Sequence, residues 1–173
     1  MSLRMATLGL LAQHPGSGYD LLRRFEKSMA NVWPATQSQL YGELNKLAAA
    51  GLIEVSDIGP RGRKEYRVTT AGREELMEWI RNPADDPPER SAELLRVFLL
   101  GELPPDQARE HLLALAGHCS AEVDRLKALE ASIPWTDDVA DFYGHAALEF
   151  GLRINTVQAE WASWLAGRLD EPR

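Results

Sequence analysis

The sequence has a single cysteine, Cys119, among its 173 residues. A lone thiol can form neither an internal disulfide nor a zinc site built from several cysteines, so we expect Cys119 to be a small apolar helix residue. No apolar run approaches the roughly 20 residues that a membrane-spanning helix needs, and the amino terminus lacks the basic and apolar regions of a secretory signal. We therefore expect a cytoplasmic protein without a membrane partner.

Catalytic motifs are also missing from the sequence. It contains no glycine-rich phosphate loop, no nucleophile elbow and no paired-carboxylate motif. Among the four histidines, His145 lies one helical turn before Glu149, a spacing that can hold a metal ion in principle. Lone histidines on amphipathic helices are more often solvated or packed. We therefore expect no enzymatic activity, no metal and no cofactor.

Positive charge is scarce overall, because the formal net charge is −7. The charges segregate, however: residues 1–82 carry 11 Lys and Arg against 9 Asp and Glu, whereas residues 83–173 carry 8 against 17. The change coincides with residues 82–88 (NPADDPP), where prolines prevent a helix from continuing. We predict two domains, residues 1–82 and 83–173, with the acidity confined to the second.

In the first half, the spacing of the apolar residues changes from that of helices to that of strands and back, in a distinctive order. Three helices come first: one ending at the His14-Pro15-Gly16 turn, one near residues 18–29, and one from Thr36 to Gly51. Alternating apolar residues then predict strands at 53–56 and 65–68, joined by residues 58–64 (IGPRGRK), and a fourth helix follows. This mainly α fold with a small β-hairpin has the winged helix-turn-helix layout, in which one helix enters the major groove and the wing touches phosphates.

The third helix has a well-specified start and a polar outer face. Thr36 and Gln39 fit a capping box, and Gly51 stands where a left-handed residue would end the helix. At 100° per residue, the face opposite the leucines carries Ser38, Gly42 and Asn45. Glycine inside a helix costs about 1 kcal/mol relative to alanine, and close approach of a DNA groove is one reason to accept that cost. A merely solvated polar face is the alternative.

We assign DNA contacts by chemistry, since cations bind phosphates whereas amides and hydroxyls read bases. Arg61, Arg63 and Lys64 are assigned to phosphate or minor-groove contact by the wing. The groove candidates are Gln37, Ser38, Gln39, Tyr41 and Asn45, although Tyr41 is equally suited to packing. We assign supporting contacts with the DNA backbone to Lys46, Arg23, Arg24 and Lys27. For the three cations of the second helix, a merely solvated face is the alternative.

The second half predicts helices only: one near residues 90–101, a long one opened by Pro104-Pro105-Asp106, and a last one near residues 137–169. Both long helices carry apolar stripes that they can cover only partly by packing on each other, and such stripes normally pair with a partner. We expect an α-helical dimerisation domain. The stripe of the first long helix is Leu112, Leu115, Cys119, Val123, Leu126 and Ile133, and that of the last helix is Phe142, Ala146, Phe150, Ile154, Val157, Trp161 and Trp164.

Several motifs together resemble the PadR family of bacterial transcriptional regulators, in its longer group. They are ATLGLL at 6–11, GYDL at 18–21, QLYGELNKL at 39–47, GRKEYRVT at 62–69, LLRVFLLG at 94–101 and LEFGLR at 148–153. Gly42 and Glu65 depart from what the resemblance leads us to expect. The resemblance implies a homodimer built by the carboxy-terminal helices with help from the first helix. It also implies that the dimer binds a near-palindromic operator in double-stranded DNA, usually to repress transcription.

Two further expectations concern partners. Trp33, Trp161 and Trp164 supply aromatic surface that could line a pocket for a small aromatic effector at the dimer centre, as some PadR relatives have, although core and interface packing is the simpler interpretation. The alternative function is a protein-interaction adaptor that retains a winged helix without binding DNA. Cations in the wing argue against that alternative.

Overall fold

The computed structural model describes residues 2–27, 33–59, 62–83 and 90–169. The chain divides into two compact units, Met1–Pro87 and Pro88–Arg173. The first unit contains, in chain order, α1 (Ser2–Gln13), β1 (Gly16–Ser17), α2 (Gly18–Lys27), α3 (Gln37–Ala49), β2 (Ile53–Ile58), β3 (Lys64–Val68) and α4 (Thr70–Arg81). The predicted fold class, mainly helical with a small antiparallel sheet, is confirmed.

The sheet has three strands in the order β1-β3-β2. The predicted hairpin pairs Ile53 with Val68 and Val55 with Tyr66, and a register shift follows between Val55 and Asp57. The short strand β1, in which Gly16 pairs with Tyr66, was not predicted. Two residues between a proline turn and a helix carry no measurable alternation, so periodicity could not detect this strand.

The core of the first unit is formed by the apolar faces of its helices. Leu40, Leu44 and Leu47 of α3 are buried as predicted, and they pack with Leu21 and Phe25 of α2. Gly51 has the predicted left-handed conformation, with φ +70°, immediately beyond the carboxyl end of α3. These contacts fix α3 with its polar face directed away from the core.

The second unit contains α5 (Ala92–Leu99), a 3₁₀ turn (Leu100–Glu102), α6 (Pro105–Ser132) and α7 (Val139–Arg168). Both long helices form as predicted and pack side by side in antiparallel fashion. Cys119 Sγ, in the middle of α6, lies 3.8 Å from Gln158 Oε1, and His145 Nε2 lies 2.8 Å from Glu130 Oε1 near the turn that joins the two helices. Burial raises the pKa of the Cys119 thiol, consistent with the expected apolar role.

The two faces of α7 differ in composition. Small residues, including Ala162 and Ala166, are buried, and a Cβ added at Gly151 would lie 3.1 Å from Leu126 Cδ1 of α6. The predicted apolar stripe lies elsewhere on the helix: Phe150 is 68% exposed and Trp164 is 60% exposed. The stripe expected to be partly covered by α6 is therefore largely uncovered within the chain.

The histidine with metal-binding spacing is paired differently from what the sequence suggested. His145 contacts Glu130 of α6, while Glu149 accepts a hydrogen bond from Arg153 at 2.7 Å. Within the described ranges, no group of three or more His, Cys, Asp or Glu side chains could hold a metal ion. In those same ranges no helix is long and apolar enough to cross a membrane.

Candidate nucleic-acid interface

The helix α3 begins with the predicted capping box. Thr36 Oγ1 accepts a hydrogen bond from the Gln39 amide at 3.3 Å, and Gln39 Oε1 accepts one from the Thr36 amide at 2.8 Å. Reciprocal satisfaction of two backbone donors holds the first turn in place. The side chains that follow on the outer face therefore project from a fixed starting point.

The predicted groove residues all lie on the exposed side of α3. This set comprises Gln37, Ser38, Gln39, Tyr41 and Asn45, and Lys46, which was assigned to a supporting backbone contact, is exposed as well. Gln39 is partly committed elsewhere, because its amide oxygen also accepts a hydrogen bond from the Thr36 hydroxyl at 3.1 Å. Only its NH₂ group remains available for a base edge.

Gly42 lies in the middle of this polar face, and nothing in the described protein requires a glycine there. A Cβ added to it would meet no atom within 4 Å. Its φ is not in the left-handed region, so alanine would be unstrained. Neither packing nor backbone conformation within the first unit therefore explains why a poor helix former occupies this position.

Tyr41 is both partly exposed and partly packed. Its side chain is 38% exposed, yet one edge of the ring packs against the start of α2, where a Cβ added at Gly18 would lie 2.6 Å from Tyr41 Cε1. Gly18 thus permits the close approach of α3 to α2.

The wing contributes cations next to this helix. Gly62 adopts φ +77° and its amide donates to the Gly59 carbonyl at 3.2 Å, which closes the turn. Lys64 is exposed at the start of β3, whereas the third predicted cation, Arg61, lies outside the described residues. Lys64 and Arg63 line a surface depression together with Tyr41, Tyr19 and Tyr66. The structure thus brings the wing and α3 to one place.

Arg63 is paired with a carboxylate rather than free. Its Nη2 donates to Asp20 Oδ2 on the first turn of α2. Asp20 also accepts hydrogen bonds from the Ser17 hydroxyl at 2.7 Å and the Ser17 amide at 3.1 Å. The Ser17 hydroxyl chiefly, with additional help from the Ser17 amide and Arg63, holds the pKa of Asp20 below its ordinary value.

Sequence reasoning missed Ser17 and Asp20. The amide of Asp20 donates to Ser17 Oγ at 3.2 Å, so the two residues form a reciprocal cap at the start of α2. The signal was available, because Ser-x-x-Asp before an apolar run is a capping pattern. The contact of Asp20 with Arg63, 43 residues later, has no local signal.

The cations of α2 are only partly available. Arg23 donates to the Tyr19 hydroxyl at 3.0 Å and lies 5.8 Å from the centre of that ring. Arg24 donates to the His14 carbonyl at 2.6 Å, which ties α2 to the end of α1. The side chain of Lys27 lies outside the described residues. Arg23 is the better placed of the two described cations for an outside partner, because it is exposed.

The tryptophans predicted for an effector pocket are divided between the two units. Trp33 belongs to the first unit and is exposed, while Trp161 and Trp164 belong to α7 of the second. A shallow depression in the second unit is formed by other residues at the turn between α6 and α7. It is lined by Trp135, Thr136, Asp137, Asp141, Phe142 and His145.

A capped helix with an exposed polar face beside a hairpin with basic residues defines the first unit as a winged helix-turn-helix domain. Comparison with known proteins agrees with this assignment. Residues 7–78 match the model of the Transcriptional regulator PadR-like family, and residues 89–170 match that of the Virulence activator alpha C-term. The chain thus carries a PadR-like family domain followed by a Virulence activator alpha C-term domain, and its relatives are PadR-type transcriptional regulators.

Individual relatives extend the comparison over the whole chain. A probable transcriptional regulator of Mycobacterium tuberculosis, Rv1176c, is 28% identical over the full length of both proteins. The negative transcriptional regulator PadR of Bacillus subtilis is 37% identical over 81 residues, 45% of this chain and 44% of that protein.

Solved structures share the fold. The crystal structure of B. subtilis PadR with operator DNA matches with a TM-score of 0.81 and 25% identity, covering 98% of this chain and 100% of that one. The same protein has been solved with p-coumaric acid. The Vibrio cholerae virulence activator AphA matches with a TM-score of 0.83 and 24% identity, covering 98% of each chain, and shows the fold alone.

Proposed function

We propose that the chain is a sequence-specific DNA-binding transcriptional regulator. The observation that carries this proposal is the depression where Tyr41 of α3 meets Arg63 and Lys64 of the wing. A polar helix face for base edges and adjacent cations for phosphates are the two components that sequence-specific binding requires. In this proposal residues 1–82 form the DNA-binding domain and residues 83–173 form the dimerisation domain.

Base reading is assigned to neutral side chains of α3. Amide groups such as that of Asn45 can pair with adenine through two hydrogen bonds, whereas no arginine projects from this helix to read guanine. Gln37, Ser38 and Tyr41 complete the reading set, and Gln39 contributes only its NH₂ group. Phosphate contacts are assigned to Arg61, Arg63 and Lys64, with support from Lys46 and from the cations of α2.

The active form in this proposal is a homodimer. The apolar face of α7 exposes Phe142, Phe150, Ile154, Val157 and Trp164, and exposed apolar residues grouped on one helix face mark an interaction surface. A second copy of the same helix is the natural partner, because a two-fold axis makes one patch self-complementary. The dimer then presents two recognition helices to a near-palindromic operator.

Regulation in this proposal is transcriptional repression in the cytoplasm, without enzymatic chemistry. The B. subtilis relative is a negative regulator, and its crystal structure with p-coumaric acid supports a small aromatic effector here too. The candidates for contacting such a molecule are Trp164, which is exposed, and Trp161, which is half-buried. A DNA-free adaptor role is disfavoured because Lys64 of the wing is exposed.

Gly42→Ala tests the assignment of α3 to the groove. The added methyl group meets no protein atom, and alanine should stabilise the helix by up to about 1 kcal/mol. If the outer face of α3 lies against DNA, the same methyl group should weaken binding about tenfold, equivalent to about 1.4 kcal/mol. Fluorescence anisotropy with a fragment of the protein's own promoter measures the affinity, and urea unfolding measures the stability.

Gly117→Ala is the matched control, because Gly117 is an exposed helical glycine of α6 whose added Cβ would also meet no atom within 4 Å. It should gain similar helix stability and leave DNA affinity unchanged. A stabilised Gly42→Ala protein that binds the fragment as tightly as the wild type would show that α3 does not lie in the groove.

A further inference from the structure

The ion pair between the wing and α2 places a negative charge at the proposed phosphate contact. Asp20 and Arg63 are both partly exposed, with 33% and 49% of their side chains accessible. The residues around the pair include Ser17, which caps α2 through Asp20, and Lys64, which lines the adjacent depression. A phosphate that approaches Arg63 therefore also approaches Asp20.

Asp20 remains ionised at neutral pH, since its hydrogen bonds with Ser17 and Arg63 lower its pKa. A guanidinium whose charge is already balanced by a carboxylate gains less from a phosphate than a free guanidinium does. Binding must either displace the carboxylate or accept its repulsion. Either alternative lowers the affinity and the number of counterions released.

We propose that Asp20 is an electrostatic competitor of DNA for Arg63 and thereby limits the strength of the wing's phosphate contact. This inference rests on the proposed DNA-binding function. Asp20 acts through Arg63 and is not itself a contact residue. Its presence keeps the operator complex weaker and less sensitive to salt than the cation content of the wing alone would make it.

A second ion pair on the wing supplies a control. Arg67 Nε donates to Glu54 Oε1 at 2.7 Å, between β3 and β2. Side chains alternate along a strand, so Arg67 lies on the face opposite Tyr66, which packs against the core and lines the depression. Glu54→Gln changes the net charge as Asp20→Asn does, but it frees an arginine away from the proposed contact.

The experiment is anisotropy of full-length protein on the promoter fragment across a salt series. Asp20→Asn retains an oxygen that can accept the Ser17 hydrogen bonds, so the cap of α2 should persist. We expect this variant to bind at least about threefold tighter, with a slope of log affinity against log salt steeper by about 0.9, the value for one added phosphate contact. Glu54→Gln should leave both quantities near those of the wild type.

Arg63→Ala examines the same contact without altering the cap. In the wild-type background, where Asp20 already balances the charge, it should change the slope of log affinity against log salt little. In the Asp20→Asn background it should make that slope shallower by about 0.9. An Asp20→Asn protein with unchanged or weaker binding and an unchanged slope would overturn the inference and leave the proposed function intact. Equal effects of Asp20→Asn with and without Arg63 would also overturn it. Absence of DNA binding by the wild type would remove the proposed function as well.

Discussion

Gly72→Ala is expected to destabilise the first unit by about 3 kcal/mol, the upper range for inserting one methyl group into a packed site. Gly72 is buried in the first turn of α4, which packs against the segment between α3 and β2. An added Cβ would collide with the Leu52 carbonyl oxygen and would lie 2.9 Å from Val68 Cγ1. The Leu52 carbonyl cannot move freely, because it accepts the Thr69 amide hydrogen bond at 3.0 Å.

Urea unfolding followed by tryptophan fluorescence measures this loss, since Trp79 of α4 packs on the same core. Gly42→Ala is the matched control, with the same chemical change at an open helical position, and it should be at least as stable as the wild type. If the two alanine variants unfold at the same urea concentration, the packing of α4 against Leu52 is described wrongly.

Phe150→Glu is expected to convert the protein to a monomer and to weaken operator binding roughly 100-fold, because two half-sites can no longer be bound together. Phe150 is 68% exposed near the middle of the apolar face of α7 and makes no contribution to the core of the first unit. A carboxylate at this position would be buried without a partner in a dimer interface. Light scattering after size exclusion should give 19.3 kDa instead of twice that mass.

Ser163→Glu is the control for added charge, since Ser163 is an exposed residue of α7 that lies about 140° around the helix from Phe150, away from the aromatic stripe. This variant should remain dimeric and bind DNA normally. A dimeric Phe150→Glu protein would place the interface elsewhere, and a monomeric wild type would exclude the dimer mechanism altogether.

Features with short-range signals were predicted well from the sequence. The capping box at Thr36, the left-handed Gly51 and the buried leucines of α3 each depend on residues within one or two turns, and all three are confirmed. The two long helices were also predicted nearly to their ends, because their apolar periodicity extends over many turns.

Features that depend on distant partners were not predictable in this way. The Asp20–Arg63 pair joins residues 43 positions apart, and β1 consists of two residues that pair only because β3 lies beside them. The sequence analysis named the residues of the apolar stripe of α7 and predicted that α6 covers only part of it, but it did not predict that most of the stripe would be uncovered. Gly151 and Ala162 provide the closer fit to α6, so close packing of small residues leaves Phe150 uncovered.

The most direct test of the central claim is hydroxyl-radical footprinting of the wild-type protein on the promoter of its own gene. We predict two protected patches related by two-fold symmetry, with centres one helical turn of about 10 base pairs apart or a multiple of it. Protection should disappear as salt is raised and should be absent on a shuffled fragment of the same composition. Unpatterned protection, equal on both fragments, would contradict sequence-specific binding by a symmetric dimer.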